Sequence, residues 1–135
     1  MELYVGGAFQ GKKEYVDNKY SGIKKLKWYD GQGSEPFNIT KYDAIYNYQE
    51  VVKRELFEGK VPDDEIKRLI DLKPDIIIVC NEVGCGVIPI AKEDRIFREA
   101  VGRCMCIAAA KADSVTRIIC GIGQVIKGEQ DSKGQ

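Results

Sequence analysis

The clearest candidate for chemistry is a glycine-rich stretch near the start of the chain. Residues 6–13 read GGAFQGKK, which has the G-x-x-x-x-G-K spacing of a phosphate-binding loop. Backbone N–H groups and the positive end of the next helix hold phosphate in such a loop, while the lysine neutralises it. The stretch therefore predicts phosphate contacts, and a purely structural turn is the alternative. The residues predicted to bind are Gly6, Gly7, Ala8, Gly11, Lys12 and Lys13.

The residue after Lys12 departs from that pattern. A phosphate-binding loop carries Ser or Thr at this position, and its hydroxyl binds Mg²⁺. This chain has Lys13 instead, so Mg²⁺ lacks its usual ligand from the loop. We expect the Lys13 ammonium to put a cation where the metal would sit.

A second polar stretch, NEVGCG at residues 81–86, follows the most apolar segment of the sequence, Asp75–Cys80. That segment predicts a parallel strand covered on both faces. Ligands of open α/β sheets bind at the carboxyl ends of strands, so we expect loops 6–13 and 81–86 to meet there. Glu82 is the candidate catalytic residue, as a Mg²⁺ ligand or general base, because a carboxylate suits both tasks. The alternative is that Glu82 caps the following turn.

The long helix predicted after this loop carries candidate anion-binding arginines. Arg95 and Arg98 are three residues apart, so they lie on one helical face and could hold an anion between them. The alternative is that these arginines form surface ion pairs with Glu93, Asp94 and Glu99.

Composition excludes several classes of function. The 135 residues include 21 basic and 21 acidic side chains, so no overall charge attracts the chain to nucleic acid or an anionic membrane. Histidine is absent, which excludes histidine bases and the commonest zinc sites. The five cysteines predict reduced, mostly buried thiols in a cytoplasmic protein, and no stretch is apolar enough to span a membrane.

The pattern of apolar residues predicts an α/β sandwich. We predict one domain over residues 1–127, followed by a flexible polar tail at 128–135. The sheet should be mainly parallel, with Leu3–Val5 and Ile76–Cys80 central. The remaining predicted strands are 23–29, 114–120 and 122–127, and the predicted helices are 12–19, 44–58, 62–72 and 91–111.

Residues 81–127 resemble the C-terminal part of the bifunctional adenosylcobinamide kinase / adenosylcobinamide-phosphate guanylyltransferase family of cobalamin biosynthesis. The shared motifs are N-E-V-G-x-G-x-x-P from Asn81, R-x-F-R from Arg95, G-R ending at Arg103, A-x-x-A-D ending at Asp113 and G-I-G-x-x-I-K ending at Lys127. The glycine-rich loop is similar to that family's T-G-G-A-R-S-G-K-S.

The resemblance implies a P-loop, RecA-like, three-layer α/β sandwich that assembles as a homotrimer. It also implies a transferase that uses ATP or GTP to phosphorylate adenosylcobinamide and then transfers GMP from GTP. Gly6, Gly7, Gly11 and Lys12 would hold phosphate, and Asn81, Glu82 and Gly84 would line the site. Arg103 would join Arg95 and Arg98 as an anion or substrate contact.

Together with Lys13, further departures from the family leave two functions open. Family members guanylylate a histidine, which this chain lacks, and they carry an acidic residue where Tyr46, Asn47 and Tyr48 stand. The segment between residues 17 and 43 is also shorter than in the family. One function is a compact kinase and guanylyltransferase acting on adenosylcobinamide. The other is a non-catalytic relative that binds a nucleotide or a corrinoid.

Overall fold

A computed structural model of the protein describes residues 1–83 and 91–128. Strands and helices alternate along most of the chain, as the sequence predicts. In chain order they are β1 (Glu2–Gly6), α1 (Lys12–Lys19), β2 (Trp28–Asp30), β3 (Ala44–Tyr46), α2 (Tyr48–Phe57), α3 (Pro62–Leu72), β4 (Ile77–Asn81), α4 (Lys92–Lys111), β5 (Ser114–Ile119) and β6 (Ile122–Lys127). Except for Gly128, the predicted tail at 128–135 lies outside the described residues.

The described strands form one six-stranded sheet in the order β2-β3-β4-β1-β5-β6. All neighbouring strands pair in parallel except β5 and β6, which form an antiparallel hairpin. Strands β1 and β4 are the two central strands and lie side by side. The predictions of a mainly parallel sheet and of its central strands are therefore confirmed.

Side chains of the central strands alternate between two apolar layers, because successive strand residues point to opposite faces. Leu3 and Ile78 pack on the face covered by α2, α3 and α4. Tyr4 and Ile77 pack on the other face, against Val16 of α1. The molecule is thus a three-layer α/β sandwich, as predicted, and its apolar strands are covered on both sides.

Two predicted elements are wrong in part. The helix predicted from residue 44 begins at Tyr48, because Ala44–Tyr46 is the strand between β2 and β4. Ile45 and Tyr48 face the same apolar layer as Val52, which imitates a helical period. The strand predicted over 23–29 is limited to Trp28–Asp30, since the amide of Ile23 closes a turn on the carbonyl oxygen of Tyr20.

The prediction of buried thiols holds for two of the four described cysteines. Cys80 and Cys104 are buried, and burial raises the pKa of both thiols to about 12. Cys106 and Cys120 are exposed, and Cys85 lies outside the described residues. The described cysteines form no disulfide, and none of the described helices is long and apolar enough to cross a membrane.

Candidate functional site

The two predicted loops meet at the carboxyl edge of the sheet. Gly6 at the end of β1 lies in register with Asn81 at the end of β4. The backbone N–H of Glu82 donates a hydrogen bond to the carbonyl oxygen of Gly6 at 2.8 Å. The prediction that loops 6–13 and 81–86 meet is therefore confirmed for Asn81 and Glu82. Gly84 lies outside the described residues.

The β5–β6 hairpin holds the glycine-rich loop in place. Gln10 accepts two hydrogen bonds from the turn of this hairpin. Its side-chain oxygen accepts one from the N–H of Cys120 at 2.6 Å, and its backbone carbonyl oxygen accepts one from the N–H of Gly121 at 2.9 Å. A Cβ at Gly6 would overlap the carbonyl oxygen of Ile118, so glycine is required where β1 passes β5. These contacts fix the loop from both ends.

Gly11 turns the loop into α1. Its φ of 79° is left-handed, which glycine adopts without a steric penalty. The first N–H groups of a helix have no intrahelical acceptor, and among the described residues no side chain caps those of α1. Ala8 and Phe9 form a turn earlier in the loop. Phe9 has a φ of 60° and a fully exposed ring. Free N–H groups at a helix start are the usual contacts of a bound phosphate.

Lys12 is buried at the base of the loop, with only 8% of its surface exposed. Its ammonium donates a hydrogen bond to the carbonyl oxygen of Gly7 at 2.6 Å. Burial lowers the pKa of the Lys12 ammonium, while Cys80 and Glu82 act electrostatically in the opposite direction. An ammonium has three donors, so Lys12 can hold Gly7 and still bind a phosphate oxygen.

The Glu82 carboxylate forms a two-point ion pair with Arg117 of β5. The Nε of Arg117 lies 2.9 Å from Oε1 of Glu82, and its Nη2 lies 3.2 Å from Oε2. Sequence analysis missed Arg117, although a charged residue inside the apolar strand Ser114–Ile119 was a usable signal. The Arg117 guanidinium therefore lies at the edge of the sheet where the glycine-rich loop starts. It also occupies both oxygens of Glu82, the residue that we predicted to be catalytic.

A chain of side-chain hydrogen bonds runs along the same edge of the sheet. The side-chain oxygen of Gln49 accepts a bond from the N–H of Asn81 at 3.0 Å, and its amide nitrogen lies 3.4 Å from Oδ1 of Asn47. Asn47 in turn donates to Asp30 at 3.1 Å. Gln49 is 6% exposed, and sequence analysis did not single it out. These residues fix the end of β4, from which the Glu82 loop starts.

Lys13 turns away from the glycine-rich loop. Its ammonium lies 5.3 Å from the ring centre of Trp28, 5.8 Å from that of Tyr46 and 3.4 Å from the Asp17 carboxylate. The indole N–H of Trp28 donates to the same carboxylate at 2.8 Å. The Lys13 cation is therefore held by aromatic rings on the α1 side of the sheet, which differs from the expectation that it would occupy the metal position.

The arginines of α4 have protein partners or face solvent. Arg98 pairs with Asp94 one turn earlier, at 3.0 Å, which is one of the surface pairs considered as the alternative. Arg103 pairs with Asp63 at the start of α3, at 3.1 Å. Arg95 is exposed. Among the described residues, no group of three or more Cys, Asp or Glu side chains is arranged to hold a metal ion.

Comparison with known proteins identifies relatives of this chain. The family model described as cobinamide kinase / cobinamide phosphate guanyltransferase matches residues 48–126, which is more than half of the chain. The match covers Asn81, Glu82, Arg117 and the arginines of α4. It begins at the start of α2, so the glycine-rich loop lies outside it.

Two curated relatives share part of their sequence with this chain. It is 41% identical over 69 residues to the bifunctional adenosylcobalamin biosynthesis protein CobU of Salmonella typhimurium, covering 48% of this chain and 38% of that protein. It is 40% identical over 52 residues to the protein of the same name from Escherichia coli, covering 38% and 29%. The aligned segment thus spans less than two fifths of either relative. With the three-layer P-loop sandwich and a family match that covers three of its four described helices and three of its six described strands, the chain belongs to the cobinamide kinase / cobinamide phosphate guanyltransferase family.

Proposed function

We propose that this protein binds the phosphates of ATP or GTP at the glycine-rich loop. The observation that carries this proposal is the buried ammonium of Lys12, held at the loop by the Gly7 carbonyl oxygen. A buried cation beside a helix start with unpaired N–H groups favours an anionic ligand. Arg117 lies at the same edge, where its charge is balanced by Glu82.

Phosphoryl transfer is the family chemistry that these residues support better, with adenosylcobinamide as the expected acceptor. It depends mainly on positioning and charge neutralisation, which Lys12 can supply. Guanylyl transfer through a covalent intermediate needs a nucleophilic nitrogen, and the chain has no histidine to provide it. We therefore assign no guanylyl transfer to this chain.

The described residues do not fit a protein-held Mg²⁺ ion. Lys13 has no hydroxyl to offer, and both carboxylate oxygens of Glu82 contact Arg117. We therefore expect phosphoryl transfer below about 1 s⁻¹, the lower end of ordinary enzyme turnover. The Glu82–Arg117 pair also favours the second candidate function, a nucleotide-binding protein without catalysis.

Calorimetry with ATP and GTP tests the binding proposal. Replacing Lys12 with alanine should weaken binding about 10- to 150-fold, because a charge-assisted contact contributes roughly 1.5–3 kcal/mol. Lys13→Ala is the matched control, since this neighbouring ammonium faces Trp28 and should change affinity less than about twofold. Equal losses in both variants, or none in Lys12→Ala, would reject the role of Lys12.

Two labelling experiments separate the candidate chemistries. Incubation with α-labelled GTP should leave no GMP on the protein, and a stable adduct would contradict the exclusion of guanylyl transfer. Incubation with γ-labelled ATP and adenosylcobinamide should give slow transfer to the corrinoid. Nucleotide binding without any transfer would favour the non-catalytic function. The homotrimer stays a prediction that sedimentation velocity can test.

A further inference from the structure

A second cleft, separate from the glycine-rich loop, lies between α2, α3 and the segment that joins β2 to β3. Its volume is about 510 Å³, which is within the range of small-molecule sites. One part of its wall is apolar and would suit a hydrocarbon group. That part consists of Phe37, Ile39, Ile45, Val51, Leu69 and Leu72.

Glu55 lines this cleft and is partly exposed there. Its Oε1 is turned away from solvent and has no hydrogen-bond partner among the described residues. A buried acceptor without a donor loses the hydration that it had in the unfolded chain, and this loss is largest for a charged group. A cation in the cleft, against the accessible part of the Glu55 carboxylate, would offset part of that loss.

The basic side chains around the cleft have other partners. Arg68 pairs with Glu65, and Lys60 lies 3.5 Å from the Glu58 carboxylate. Arg54 donates to the carbonyl oxygens of residues 31 and 33. Two acidic groups of the cleft, Glu35 and Glu55, have no ion pair in the described part of the chain. The Glu35 carboxylate accepts a hydrogen bond from the Tyr42 hydroxyl at 3.3 Å, whereas Oε1 of Glu55 has no partner there.

The electrostatics of Glu55 agree with this geometry. Burial raises its pKa to about 7, and the nearby Glu65 and Glu58 carboxylates add to that rise. Lys60 and Arg54 act in the opposite direction without cancelling it. A cation placed against Glu55 would favour the ionised carboxylate.

We propose that this cleft binds a primary ammonium group attached to an apolar body, with the ammonium on Glu55. A metal ion is disfavoured, because no three acidic or thiol side chains of the described residues are arranged to coordinate one. An anion is disfavoured by the four carboxylates that line the cleft, those of Glu35, Glu55, Glu58 and Glu65.

Benzylammonium chloride is a suitable probe, with benzyl alcohol as its uncharged counterpart. Titration followed by NMR at pH 8 should show benzylammonium binding at least about tenfold more tightly than the alcohol. Glu55→Gln should remove that preference. Glu58→Gln, one turn later and already paired with Lys60, should retain it within about twofold. ATP affinity should be the same in all three proteins, which separates this site from the nucleotide site.

The pH dependence gives a second readout. Because binding needs the ionised carboxylate, benzylammonium affinity in the wild-type protein should fall severalfold between pH 8 and pH 6, and this slope should vanish in Glu55→Gln. Equal affinity for the amine and the alcohol, or an unchanged preference in a folded Glu55→Gln variant, would overturn the proposal. NMR chemical-shift changes confined to residues outside the cleft would also overturn it.

Discussion

Replacing Glu55 with glutamine should stabilise the protein at alkaline pH and much less at acid pH. The variant keeps the shape of the side chain and removes its charge. In the native protein, burial and the neighbouring Glu65 and Glu58 raise the pKa of Glu55 from 4.5 to about 7. In the unfolded chain the carboxyl group returns to its ordinary value.

The sign of the effect follows from proton linkage. A carboxyl group with a raised native pKa holds its proton more tightly in the folded state, so native stability falls as pH rises from about 4.5 to about 7. The rise of about 2.5 in pKa, at 1.36 kcal/mol per pKa step, sets an upper limit of roughly 3 kcal/mol on the loss of unfolding free energy. Glu55 is only partly buried, so solvent screening reduces the expected effect to about 1–2 kcal/mol.

Urea unfolding of the wild type and of Glu55→Gln at pH 5 and pH 8 measures this effect. The stability difference between the two proteins should be about 1–2 kcal/mol larger at pH 8 than at pH 5. Glu58→Gln is the control, because Glu58 is exposed and pairs with Lys60. A difference that is the same at both pH values would refute the claim that Glu55 is held unpaired and partly desolvated.

Three further changes test the carboxyl edge of the sheet. Gln49→Ala should cost about 1–3 kcal/mol in urea unfolding, because it removes the acceptor for the N–H at the end of β4; a loss below about 0.5 kcal/mol would contradict that role. Gly6→Ala should destabilise by about 1–3 kcal/mol, since its Cβ would overlap the carbonyl oxygen of Ile118, whereas Gly7→Ala meets only ordinary contacts and should cost less. Lys13→Ser should raise ATP affinity in Mg²⁺ but not in EDTA, because it restores the usual hydroxyl; equal behaviour of Lys13→Ser and Lys13→Ala would contradict this.

The sheet could be predicted because its central strands are recognisable from their local sequence. Asp75–Cys80 is apolar at successive positions, which suits a strand covered on both faces, and both central strands run into polar or glycine-rich loops. Strand β3 could not be predicted in the same way. It has three residues, and Ile45 continues the helical spacing of Tyr48 and Val52, so periodicity assigns it to the helix.

The contacts that shape the candidate site depend on strand order, which local sequence does not contain. Gln49 reaches the backbone of Asn81 across 32 positions, and Arg117 reaches Glu82 across 35. Both contacts exist because β4 lies between β3 and β1 and because β5 lies beside β1. A pattern read along one strand identifies Glu82 as a carboxylate at the sheet edge, but it cannot show that an arginine two strands away already binds it.

The length of the Lys13 side chain explains why it does not act like the hydroxyl residue of a phosphate-binding loop. The Lys12 ammonium stays within the loop, where it donates to the carbonyl oxygen of Gly7. The Lys13 side chain carries its ammonium to the aromatic rings of Trp28 and Tyr46, whereas a serine hydroxyl at this position would stay beside the start of α1. The position that would supply a metal ligand now contributes a cation–π contact between α1 and the sheet. The phosphate contacts that we propose involve Gly6, Gly11 and Lys12, so they do not require a metal ligand at position 13.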